Sequence, residues 1–87
     1  LTFYDLTDEE ELHGLIIDAA FLRMNDPGED VATRAYAIMV IRRFLHVYPE
    51  ITGEYIAALK FITANAKETL SNYAEKVLMD VDRDAVS

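Results

Sequence analysis

Residues 15–25 recur in kind and in order forty positions later: Leu15, Ile16, Ala19, Phe21, Leu22 and Asn25 fall on Tyr55, Ile56, Leu59, Phe61, Ile62 and Asn65. After the turn that follows, the offset shortens to thirty-seven, because Pro27, Gly28 and Glu29 have no counterpart in the second half. Tyr36, Ala37, Val40 and Ile41 then fall on Tyr73, Ala74, Val77 and Leu78. A period near forty, with apolar residues three and four apart inside each half, is that of one helical hairpin used twice. A single hairpin cannot bury its apolar face alone, so two copies must pack together. The expected fold is therefore all-α, with two tandem antiparallel α-hairpins stacked as an α-α superhelix. One domain spans 1–87, with hairpin one over about 7–48 and hairpin two over about 49–82.

Local signals divide the repeat into four helices. Thr7 with Glu10 has capping-box spacing, and the acidic run Asp8 to Glu11 suits the positive end of a helix dipole, so a first helix is expected from Thr7 to about Asn25. Its core stripe is read as Leu12, Leu15, Ile16, Ala19 and Leu22. A second helix is expected to start inside Asp26-Pro27-Gly28-Glu29, with Asp26 as cap and Pro27 at the first helical position, and to stop at Tyr48 before Pro49. The third carries Ile51, Tyr55, Ile56, Leu59 and Ile62. The fourth, with Asn65 and Glu68 at capping-box spacing, carries Leu70, Tyr73, Ala74, Val77, Leu78 and Val81.

The two second helices differ in a telling way. Ala35, Ile38, Met39 and Leu45 of the earlier one correspond to Asn72, Glu75, Lys76 and Asp82 of the later one. A helix with apolar residues on two faces belongs inside a stack, and one with a single stripe and a polar back belongs at its end. The fourth helix is thus read as a C-terminal cap. At the other end, Leu1, Phe3, Tyr4 and Leu6 are too apolar for a solvated tail, so the chain is expected to be a fragment of a longer array.

The 87 residues include no cysteine, which removes disulfides and thiolate metal sites and fits a cytoplasmic protein. Asp18, Arg23, Arg42 and Arg43 interrupt every apolar stretch well short of a membrane span. Eight basic residues against sixteen acidic give a net charge of -8, which disfavours nucleic acid and favours basic or neutral protein partners.

The turn with Asp26 or Asp30, followed by Val31, Arg34 and Ala35, resembles the HEAT family of HEAT/armadillo-type α-helical repeats, over nearly the whole chain from Thr7. It is similar to the C-terminal hairpins of a bacterial-type α-solenoid. The resemblance implies a polar ladder made by Asp26 or Asp30 with Arg34, which lapses in the second hairpin, where Ala66 and Ser71 stand instead. It also implies a non-catalytic scaffold that binds proteins through a curved surface. Some bacterial relatives are DNA glycosylases acting on alkylated bases. Those use a basic groove with aromatic residues, whereas this chain is acidic and has no Trp. A self-contained four-helix bundle that forms a homodimer through the segment Leu1 to Leu6 is the remaining alternative.

No catalytic constellation emerges. Ser71 and Ser87 have no histidine nearby in sequence, and His13 and His46 have no second ligand at metal spacing, so no enzyme activity and no cofactor are expected. Asp80, Asp82 and Asp84 have the one-three-five spacing that opens a calcium loop. Ala85, however, stands where the loop needs glycine, and a solvated acidic tail is the favoured reading. Arg42, Arg43 and Lys60 form the one local basic cluster, read first as side chains pairing with Glu50 or Glu54 and second as a binding patch. Tyr4, Tyr48 and Tyr55, near hairpin ends, are candidate partner anchors if exposed.

Overall fold

The computed structural model describes the backbone of residues 6–86 and the side chains of residues 9–83. It is all-α: α1 (Leu6–Met24), α2 (Val31–Phe44), a short 3₁₀ turn (Pro49–Ile51), α3 (Thr52–Asn65) and α4 (Glu68–Val86). α1 packs on α2 and α3 on α4, giving two antiparallel hairpins that meet where α2 lies against α4. The molecule is a slab of 47 × 34 × 15 Å.

Buried residues from both hairpins form one cluster. α1 contributes Ile17, Ala20, Phe21 and Met24; α2, Ala37, Ile38 and Ile41; α3, Tyr55, Leu59 and Ile62; α4, Leu70, Ala74, Val77 and Val81. Met24, Ile38, Ile41, Tyr55, Leu59 and Ile62 are fully shielded from solvent, each stabilising the fold by about 1.5–3 kcal/mol. The expected contrast between the second helices is present. Ala35 and Met39 on α2 and Leu45 just past its end are half-buried and Ile38 is wholly buried, while Asn72, Glu75, Lys76 and Asp82 on α4 are exposed. The fourth-helix stripe is as read, with Tyr73 and Leu78 half-buried at its edges.

The first helix is rotated from its expected setting. Leu12, Leu15, Ile16, Ala19 and Leu22, read as its core stripe, are exposed, and the opposite face is buried. The register of the repeat changes with it. Ile17, Phe21 and Met24 do in hairpin one what Tyr55, Leu59 and Ile62 do in hairpin two, an offset of 38 rather than forty. Phe21 and Phe61, aligned by identity, differ in environment: the first is buried and the second is 59% exposed.

The turns also depart from expectation. α2 begins at Val31, not within residues 26–29, and Asp30 holds the N-cap position without a side-chain cap bond. The Asp26 carboxylate instead accepts from the Gly28 amide at 2.9 Å, so Asp-Pro-Gly-Glu builds a turn before the helix rather than its first turn. Asn65 is the last residue of α3, and its amide donates back to the Phe61 carbonyl at 2.9 Å, so it does not cap α4. α1 begins at Leu6, which places Thr7 within the helix; the Thr7 side chain lies outside the described ones, as does the segment Leu1 to Asp5. α2 stops at Phe44, leaving His46 in the following turn rather than in a helical one.

Candidate functional site

α1 is apolar on two opposite faces. At about 100° per residue, Ile17, Ala20, Phe21 and Met24 cluster on one side, and Leu12, Leu15, Ala19 and Leu22 lie within some 40° of the opposite direction. The outer row meets water with Leu12 55%, Leu15 68% and Leu22 72% exposed. Beside it runs an open groove of about 350 Å³ between α1 and α2, lined by Ile16, Ala19 and Arg23 on one wall and by Tyr36 and Val40 on the other. Tyr36 is itself 64% exposed. On α2, Tyr36 and Val40 sit about 160° around the helix from Ile38, so the groove opens on the side of hairpin one that faces away from hairpin two.

A contiguous run of four large apolar side chains and a tyrosine facing solvent is more than scattered surface residues provide, and makes this the candidate surface. The one charge lining the groove is Arg23, whose guanidinium donates to the Glu29 carboxylate at 2.9 Å and remains more than half exposed, while exposed Asp18 flanks the row beside Leu15 and Leu22. Glu9, Glu10 and Glu11, all exposed, stand at the other end of the helix. The first-helix stripe in the sequence is therefore real, but it belongs to this outer face.

The expected site residues are dispersed by the structure. Arg42 reaches Asp80 on α4 at 3.7 Å instead of Glu50 or Glu54, and Arg83 donates to the same Asp80 at 2.8 Å. Arg43 is exposed and shares a shallow hollow with Arg42, Met39 and His46; Lys60 is exposed on α3, and neither it nor Arg43 makes an ion pair among the described residues. With Asp80 committed to two arginines and Asp82 exposed, the calcium-loop spacing does not gather ligands; the Asp84 side chain lies outside the described ones. No group of three potential ligands that could hold a metal ion occurs among the described residues.

Tyr55 is wholly buried rather than an exposed anchor, and its hydroxyl donates to the Ile38 carbonyl at 2.7 Å, tying α3 to α2. Burial first, then neighbouring Tyr73, push this phenol well above its ordinary pKa, against a smaller downward pull from Arg42. Tyr48 is half-buried. Its hydroxyl meets His13 Nδ1 at 3.0 Å, and both rings pack with Phe44, so the trio pins the connection between hairpins onto α1. Partial burial, followed by Glu10, Glu50 and Glu9, raises the Tyr48 phenol.

The polar ladder is also replaced. Arg34, one of the buried residues of α2, donates from Nε to the Met24 carbonyl at 2.9 Å, satisfying an orphan carbonyl at the end of α1. Asp30 accepts from Thr33 Oγ1 at 3.4 Å, and neither Asp26 nor Asp30 pairs with the Arg34 guanidinium. In hairpin two, Ser71 Oγ donates to the Thr63 carbonyl at 2.7 Å, a shorter side chain doing the same job between the paired helices. That equivalence was hidden because the sequence does not state which carbonyl a side chain will reach.

The fold and this surface define an all-α chain of paired helical hairpins with an apolar face that is exposed among the described residues. Compared with protein-family models, curated proteins and solved structures, the chain matches none of them. Among the described residues, no helix is long and apolar enough to cross a membrane.

Proposed function

We propose that this chain is a non-catalytic protein-interaction or scaffold module of the HEAT-like kind, acting in the cytoplasm, and that the outer face of α1 with its groove receives an apolar helical surface of a protein partner. The observation that carries the reading is the row of Leu12, Leu15 and Leu22, each more than half exposed on a helix whose opposite face is already packed. A helix laid along that row would meet anchors at three- and four-residue spacing, as helix-in-groove recognition requires. The tandem hairpins and the one-sided α4 support the repeat-type architecture, since both are what stacking would produce at the end of an array.

The test is fluorescence anisotropy with a labelled synthetic helix bearing a leucine face and balanced Glu and Lys elsewhere, beside a control with its leucines replaced by serine. The leucine helix is expected to bind with a Kd in the micromolar range, and Leu15→Asp to weaken it at least about tenfold. Equal binding of both helices, or binding indifferent to Leu15→Asp, removes the proposal.

A further inference from the structure

Resting on that docking reading, we infer that the occupant of the outer face is a second copy of this chain, its α1 antiparallel to the first across a two-fold axis near position 17.

The row is nearly symmetric about that position. Leu12 and Leu22 lie five residues before and after Ile17, and Leu15 and Ala19 lie two before and two after. A two-fold axis therefore brings the Leu12 end of one copy to the Leu22 end of the other and sets large Leu15 beside small Ala19, which lets the helices approach. An isologous interface needs such self-complementarity, because each patch must match itself reversed.

Charge selects the direction. Glu9, Glu10 and Glu11 stand at one end of the row and Arg23, 58% exposed, at the other. The antiparallel arrangement places the acidic end of each copy beside Arg23 of its mate, whereas a parallel one would crowd two acidic ends together.

Area sets the strength. With each exposed aliphatic offering on the order of 50–100 Å² and Tyr36 somewhat more, the face presents roughly 400 Å² of apolar surface per copy. Two copies bury about twice that before the polar flanks are added, below the roughly 1,200 Å² of stable specific interfaces, so a weak, transient dimer is expected.

Sedimentation equilibrium of the full chain across roughly three decades of concentration, into the high micromolar range, tests the association. A monomer–dimer equilibrium is expected, weakened at least about tenfold by Leu15→Asp and independently by Leu22→Ser, with helical circular dichroism retained in both. The direction is read by cross-linking. The chain has no cysteine of its own, so Leu12→Cys and Leu22→Cys introduce single thiols. Across the proposed axis identical positions lie about 15 Å apart, while Leu12 of one copy lies next to Leu22 of the other. A short bis-maleimide should therefore link the mixed variants and leave each alone unlinked.

A dimer indifferent to both substitutions, or one in which Leu12→Cys links to itself, overturns the inference. A chain that stays monomeric yet binds the leucine helix through Leu15 also overturns it and leaves the docking reading standing. A chain that does neither removes both.

Discussion

Tyr55 shows how one residue carries two structural duties. Its ring fills the space between α3 and α2, and its hydroxyl bonds the Ile38 carbonyl at 2.7 Å. Tyr55→Phe keeps the ring and removes the bond, so near pH 8 it should cost about 1 kcal/mol in urea unfolding, the Ile38 carbonyl retaining its place in the α2 ladder. The pH dependence has a definite sign. Burial raises the folded phenol above its ordinary value, so below about pH 10 it is neutral in both states and contributes no slope. Above that pH the unfolded chain loses the proton first, and the stability of the parent protein falls by at most about 1.4 kcal/mol per pH unit until the folded phenol also ionises. The advantage of the parent over Tyr55→Phe should accordingly shrink as pH rises past 10; a constant difference would mean that the phenol is not held neutral by the fold. From the sequence, Tyr55 was legible both as a member of an apolar stripe and as a partner anchor if exposed, and the structure decides for the stripe. What could not be read was its bond, since the acceptor is a main-chain carbonyl seventeen residues away.

Among the elements, α4 was the most legible and α1 the least, for one physical reason. α4 has a single apolar stripe and a charged back, so only one rotation buries it: Leu70, Ala74, Val77 and Val81 go in, and Glu75, Lys76 and Asp82 stay out. α1 carries two stripes of similar apolarity, and periodicity alone cannot choose between them. The choice is made by α2, against which Ile17, Phe21 and Met24 fit, and the alignment of the two halves by identity pointed to the wrong stripe. The rotation can be tested directly. Met24→Lys, at a fully buried position, should cost more than about 3 kcal/mol, because it removes apolar burial and places an ammonium in the core. Leu22→Lys, 72% exposed two residues earlier, should change stability by less than about 0.5 kcal/mol. Urea melts giving the reverse order would restore the stripe read from the sequence. The same ambiguity explains why the candidate surface was half visible: its residues were recognised as apolar and periodic, but were assigned to the interior.

At the scale of the whole molecule, the question is whether the two hairpins are separate units or one. The buried cluster runs without a break from α1 through α2 and α4 to α3, and Ile38, which sits in it with no solvent exposure, is on the helix that joins the halves. A chain of this length has a net stability of only about 4–13 kcal/mol, so losing one central contact can exceed what either half holds in reserve. Ile38→Glu removes about 2–3 kcal/mol of burial and adds the cost of a carboxylate without a partner, several kcal/mol more. It should therefore unfold the protein, and unfold both hairpins together, with amide protection lost in α3 and α4 as completely as in α1 and α2. Glu75→Ala, on the wet side of α4, should leave the melting midpoint nearly unchanged. Hydrogen exchange on Ile38→Glu that showed hairpin two still protected would make the halves independent modules, and the stacking inferred from the two apolar faces of α2 would then contribute little to the fold.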